Sequence, residues 1–325
     1  MKNKELLYLF IVLILLSFLS IRIGGGVSIS FNDSLNILFK KGDPVKLNIF
    51  WNLRLPRTLL AILVGGNLSL AGSILQSYFH NPLAEPHIIG ISAGSALGAT
   101  LYFILSGGTW EIDPLITPWV SLIGAFFVLF ILIFWSRRSL YNSQLILLGV
   151  SLNALFSSII SFLLFSNQKI FHGVYFWLMG GFNGKGWKHL EILFIYSLIA
   201  VPWTFIWRKK FNLLNLSEEE AYSLGLSLRS YQRWFLFLIS LLIAPSTAVS
   251  GIIGFVGLIS PHIMRLWKTA DFNWLIPASY LGGGILLLFS DILARTIIYP
   301  SEIPIGIITS FLGVPFFIFL LKKEK

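Results

Sequence analysis

Arg54-Leu55-Pro56-Arg57 opens an apolar run from Thr58 to Tyr78 that holds Gly65, Gly66, Ala71 and Gly72; Asn81-Pro82-Leu83-Ala84-Glu85-Pro86 follows, then Gly90, Ser92, Gly94 and Gly98. In water a helix with these interior glycines is a poor choice, since each costs about 1 kcal/mol relative to Ala. In a bilayer the penalty falls differently. Leu gains nothing by leaving lipid for protein, so helices associate through small residues that let backbones approach and through interhelical hydrogen bonds. The stretch reads as two membrane helices joined by a Pro-bracketed polar turn, and as the packing centre of a bundle. Gly65, Gly66, Gly72 and Gly94 are expected at its helix crossings.

Composition carries the same reading to the whole chain. Of its 325 residues 56% are hydrophobic and only 12% charged, where a soluble domain has roughly 25% charged residues. The expected fold is all-α, a single polytopic membrane domain over residues 1–325 with about ten spans of ~20 residues. The spans expected are Leu6–Ile23, Thr58–Tyr78, Ile88–Leu105, Trp119–Trp135, Leu145–Phe165, Leu190–Trp207, Trp234–Val249, Gly251–Trp267, Trp274–Ile292 and Ile305–Leu321. The eighth is expected to be broken, because Gly251, Gly254, Gly257 and Pro261 interrupt it, and broken helices at membrane depth need protein or a water-filled cavity around them. Ten spans return both termini to one side. Placing that side in the cytoplasm puts more than half of the 24 Lys and Arg residues inside, as the positive-inside rule requires. The net charge of +10 comes from bases scattered between spans, which argues against nucleic-acid binding. There are no cysteines, hence no disulfide or thiol chemistry. Leu6–Ile23 lacks a small-residue cleavage site and is read as an uncleaved span.

Two connecting segments are long. Residues 27–51 are polar and expected to be irregular, with a short helix at Ser34 to Phe39. Between Phe211 and Arg229, Ser217-Glu218-Glu219-Glu220 forms a capping box. A short helix Glu218–Leu224 should follow it, stopped by Gly225.

The run from Leu55 to Gly98 resembles the signature region of the permease subunits of ABC importers for iron-siderophores, haem and vitamin B12, the FecCD or BtuC-like family. The resemblance returns at Leu216–Gly225, Gly251–Arg265 and Asp291–Pro315. It implies a type II importer arrangement in a bacterial plasma membrane. The implied partners are a second permease copy, two cytoplasmic ATPase subunits that carry the ATP and Mg, and an extracytoplasmic substrate-binding protein. It implies no cofactor in this chain, whose Gly-rich pieces lack a Walker Lys-Ser/Thr signature. The cargo it implies is a large metal chelate, ferric siderophore first, haem or a corrinoid next.

Residue by residue, the resemblance gives roles to three groups. Leu216, Ser217, Glu220, Ala221, Leu224 and Gly225 match the family's coupling helices, here about residues 212–230; a solvated charged connector is the plainer reading. Arg54, Arg57 and Arg295 match bases that dock acidic residues of the binding protein, and the plainer alternative is snorkelling to lipid phosphates. Asn81, Leu83, Asn142 and Ser143 match positions of the cytoplasmic gate, although Asn-Pro is also ordinary turn chemistry.

Asp291 and Arg295 stand four apart on one helix face and could pair, while Glu302 could favour the N-terminus of the last span through its dipole. His80, His87, His172, His189 and His262 lie at different depths with no i, i+4 pair, so a metal site is not expected. Ser260, His262 and Asp291 are the tempting trio for an intramembrane enzyme, but no Gly-x-Ser-x-Gly elbow exists and the first two point to different helix faces. A proton-coupled transporter would need a buried acid or histidine relay along the spans, which is absent.

Overall fold

Seven helices are long and apolar enough to cross a bilayer, over Lys4–Arg22, Pro44–Tyr78, Ile116–Trp135, Gln144–Ser166, Trp187–Ile206, Tyr231–Ser250 and Phe272–Thr296, with shorter apolar helices at Ile91–Leu105 and Ile305–Phe319. The computed structural model describes residues 4–24, 33, 37, 41–107, 115–136, 142–216, 218–224 and 228–323. Among them every regular element is helical. In chain order they are α1 (Lys4–Arg22), α2 (Pro44–Asn48), a π-helical turn (Ile49–Arg54), α3 (Leu55–Tyr78), a 3-10 turn (Pro86–Ile89), α4 (Ile91–Leu105), α5 (Ile116–Ser136) and α6 (Asn142–Ser166). A second 3-10 turn (Gln168–Ile170) leads to α7 (Phe171–Leu178), α8 (Trp187–Ile206), α9 (Arg208–Leu213), α10 (Glu218–Ser223), α11 (Leu228–Ser250), α12 (Val256–Trp267), α13 (Phe272–Thr296) and α14 (Ile305–Lys323).

Burial separates an inner from an outer layer. In the apolar windows of Pro44–Tyr78 and Tyr231–Ser250, 83% of residues are buried, against 17% for Lys4–Arg22 and 28% for Gln144–Ser166. The central helices α3, α11 and α13 therefore pack on all sides, and α1 and α6 turn long apolar faces outward. Helices α3 and α13 pack backbone against backbone. A methyl on Gly65 would overlap the carbonyl of Gly283, and one on Gly283 would overlap the carbonyl of Gly65. Gly94 on α4 and Gly124 on α5 interlock in the same reciprocal way. Gly72 lies on the backbone of Gly257 in α12, and Gly66 lies under the Tyr280 ring. All four glycines expected at helix crossings are therefore at contacts where a side chain does not fit.

Two features depart from the expected spans. Residues 44–54, ahead of α3, are helical: Asp43 accepts a hydrogen bond from the Val45 N–H at 3.0 Å, Pro44 takes the first helical position, and the helix then runs on without a gap to Tyr78. The predicted helix at Ser34 to Phe39 lies outside the described residues apart from Ile37. The expected break is at residues 251–254, which are not helical, with Gly251 and Phe255 at φ 73° and 68°. Helix α7 was not expected, since eight residues are too few for a hydrophobic period to stand out.

Gly65→Ala is expected to lower the thermal midpoint of the detergent-solubilised protein by the equivalent of about 1–3 kcal/mol, the usual cost of overpacking. Gly181→Ala, where an added Cβ meets nothing within 4 Å, should leave the midpoint unchanged.

Candidate functional site

Arg57 stands one turn into α3, opposite the last turns of α13. Its Nε donates to Asp291 Oδ1 at 3.0 Å, and its Nη1 reaches both oxygens of Glu302 at 3.0 and 2.9 Å. Arg295, one turn beyond Asp291, pairs with Asp291 Oδ2 at 3.1 Å and donates to Ser20 Oγ at 2.8 Å. Arg54 donates to the carbonyls of Ile21 and Arg22, each at 2.9 Å, and of Gly24 at 2.5 Å. The last carbonyls of a helix have no partner within it and carry partial negative charge. Arg54 and Arg295 supply donors to that end of α1. Asp291 is completely buried, and Arg54 and Arg295 are 5% exposed.

These contacts give all three arginines partners within the chain: the guanidinium groups of Arg54, Arg57 and Arg295 are turned onto carboxylates and backbone carbonyls. Glu302 is engaged by Arg57 rather than standing alone at a helix N-terminus. The expected Asp291–Arg295 pair is present and is extended to Arg57.

A second polar cluster holds the broken segment before α12. The Glu85 carboxylate accepts the Phe255 N–H. His87 Nε2 is 2.8 Å from the Ile253 carbonyl, which can only accept, so Nε2 carries the hydrogen. In the neutral ring Nδ1 is then an acceptor for Ser92 Oγ at 2.9 Å, leaving Ser92 Oγ to accept from Thr247 Oγ1 at 3.2 Å. Asn153 Nδ2 donates to the His87 carbonyl at 2.8 Å. Side chains thus take up backbone groups that a continuous helix would have satisfied, as membrane depth demands.

Between these clusters lies a cleft of about 670 Å³ whose wall includes Arg57 and Glu302. Lys169, His172 and Lys185 add basic groups, and Phe103, Phe176, Trp177 and Phe182 add aromatic faces. The turn 179–186 is fastened to the start of α14, with the Ile305 N–H on the Gly180 carbonyl at 3.0 Å and the Gly306 N–H on Met179 at 3.2 Å. Burial pushes the Lys185 ammonium down to about 8. Among the described residues no group of three or more His, Cys, Asp or Glu side chains comes together.

At the opposite end of α13 the chain is latched to the segment that carries α9 and α10. Asn212 Nδ2 donates to Asp271 Oδ1 at 2.8 Å, and Asn212 Oδ1 accepts the Phe272 N–H at 2.7 Å. Asn215 donates to the Ala270 carbonyl at 3.3 Å, and His80 Nε2 is 3.1 Å from the Leu216 carbonyl. Helix α10 spans Glu218–Ser223. Of the residues expected on the coupling helices, Ala221 is buried against the chain itself, whereas Leu224 is 63% exposed and Glu220 is exposed. Ser217 and Gly225 lie outside the described residues. Asn81 Oδ1 accepts the Leu83 N–H at 2.9 Å, an Asx turn. Asn142 and Ser143 open α6, and their side chains also lie outside the described residues.

The chain matches the FecCD transport family over residues 10–323. It is 35% identical to the hemin transport system permease protein HmuU of Yersinia pestis, across 98% of this chain and 95% of that one. It is 37% identical to the vitamin B12 import system permease protein BtuC of Klebsiella pneumoniae, across 85% and 82%. A solved inward-facing conformation of a metal-chelate type ABC transporter superimposes with a TM-score of 0.88 at 34% identity and covers 99% of both chains. PsaBC from Streptococcus pneumoniae shares the fold, with a TM-score of 0.53 at 17% identity over 82% of this chain.

Lys185 offers a pH readout. Its amine should gain reactivity toward an acylating reagent with a midpoint near pH 8, where an exposed lysine titrates at about 10.4. The charged groups that share its cleft are Arg57, Lys169, His172 and Glu302. Mass-spectrometric labelling of the intact protein across pH 6–11 measures the midpoint.

Proposed function

Because the chain belongs to the FecCD transport family, a family of transport permeases with no enzymatic role, we propose that it is the membrane-spanning subunit of an ATP-driven importer for a metal chelate. It works as a pair of copies in a bacterial inner membrane, with about ten spans and both termini in the cytoplasm. Two ATPase subunits engage residues 212–230, and an extracytoplasmic binding protein delivers cargo at the end that carries Arg57 and Glu302. The arginines there keep that end in shape through internal pairs. Asn81, Leu83, Asn142 and Ser143 sit where the pathway closes toward the cytoplasm. Relatives named for haem and for vitamin B12, and the metal-chelate type transporter, support a metal chelate as the cargo class. They favour haem or cobalamin as much as a ferric siderophore.

The observation that carries the mechanism is the Asn212–Asp271 latch. Helix α13 has 25 residues, about 37 Å at 1.5 Å each. One end is tied to the segment 208–216 and the other holds Asp291 and Arg295 against α3. The two helices interlock at Gly65 and Gly283, so a push on residues 212–224 moves a rod whose far end, through Asp291, holds Arg57 of the cleft wall. ATPase closure then reaches the cleft without a continuous chain of titrating groups.

In a reconstituted complex, one loaded binding protein among ferric siderophore, haem and cobalamin forms should stimulate ATP hydrolysis. Absence of a co-purifying ATPase, or of any stimulation, would sink the importer reading. Asn212→Asp sets two carboxylates face to face. It should lower uptake on the order of tenfold, the scale of one hydrogen bond to a charged group, while ATP hydrolysis persists. Equal loss of both would contradict the latch.

A further inference from the structure

The cleft has an unbalanced wall. Arg57 is neutralised by Asp291 and Glu302, but among the described residues neither Lys169 nor Lys185 is paired with a carboxylate. Lys169 is exposed and Lys185 half-buried, so a cargo that covered them without supplying a counter-charge would leave costly bare ammonium groups. The remaining lining is aromatic, with Phe103, Phe176 and Phe182 beside Trp177. Its volume of about 670 Å³ falls in the range of pockets that enclose a drug-sized ligand.

The described residues offer no cluster that could take a metal from a chelate, so recognition here falls on the organic frame. Two ammonium groups without a carboxylate partner ask for acceptors with negative charge. Aromatic walls favour a conjugated face lying against them.

On these grounds, and resting on the importer reading above, we propose that this cleft seats the cargo in transit and selects an anionic chelate with a conjugated ligand frame, its acid groups on Lys185 and Lys169 and its face against Trp177 and Phe176. The shared chemistry is acidic oxygen plus π surface. A carboxylated porphyrin and a catecholate iron complex both supply it; an uncharged hydroxamate complex does not.

The test uses the full-length chain in lipid nanodiscs with its ATPase, empty nanodiscs serving as the blank. Binding is measured for iron(III) protoporphyrin IX, its dimethyl ester, a ferric tris-catecholate and a neutral ferric trihydroxamate. At least one anionic chelate should bind about tenfold more tightly than the ester or the trihydroxamate, the scale of one charge-assisted contact. Lys185→Gln should erase that advantage, Lys185→Arg should restore it, and ester binding should stay unchanged in both, which shows that the variants fold. Whichever anionic chelate depends on Lys185 names the source. Equal binding of charged and neutral probes, or an advantage untouched by Lys185→Gln, overturns the proposal. So does a Lys185→Gln variant that loses only its pairing with a second copy. If a loaded binding protein still stimulates ATP hydrolysis in any of these cases, the importer reading stands and the cargo class alone falls. If no loaded binding protein stimulates it, the fault lies with the importer reading.

Discussion

A carboxylate with no exposure to solvent has to be neutralised where it stands, and Asp291 is such a group. An isolated ionised carboxylate in a low-dielectric interior costs far more than a folded domain can offset. Asp291 therefore needs cations fixed beside it, and the chain provides Arg57 from α3 and Arg295 from its own helix. That requirement sets the depth of α3 against α13 and draws Glu302 onto the same guanidinium. Arg295, once placed, reaches Ser20, and Arg54 reaches the carbonyls after it, so the end of α1 is held by the same group of charges. One buried anion thus fixes how four segments meet.

The rest of the architecture answers a second constraint, that no backbone group in a bilayer can be left without a partner. Where α3 meets α13 and α4 meets α5, glycines bring the backbones together and the helices remain regular. Where the chain breaks, at residues 251–254, side chains substitute for the helix: Glu85 on Phe255, His87 on Ile253, Gln76 on Gly257 and Leu258. Most of those side chains come from the end of α3 and the turn after it. The Pro-bracketed turn and the break in the eighth span are therefore one structural unit. This explains how an irregular segment can cross the bundle without unravelling it, and it leaves α13 as the rigid element between Asn212 and the Arg57 of the cleft wall.

Much of this was legible in the sequence because its causes are local. Long apolar runs gave most of the long helices, the small residues of α3 and α4 marked the crossings, and Gly251, Gly254, Gly257 and Pro261 marked the break. The start of α2 was missed although its signal, Asp43 followed by Pro44, is as plain as a helix start can be; the polarity of the surrounding segment masked it. What stayed hidden is non-local. Nothing in the spacing of Arg57 and Asp291, 234 positions apart, says that they touch. The Asn212–Asp271 latch, between two ordinary polar residues, carries no motif at all. Lys185 and Trp177 are unremarkable in the sequence, and only the folded cleft gives them a shared role.

The central claim is that the buried charges form an internal lock. A double-mutant cycle on Arg57→Gln and Asp291→Asn, read by unfolding of the lipid-reconstituted protein, tests it most directly. Contacting charges in one network couple by about 0.5–3 kcal/mol, and this pair should lie at the upper end, each single substitution costing nearly as much as both together. Additive effects within about 0.5 kcal/mol would mean that the two residues act independently, and would contradict the account.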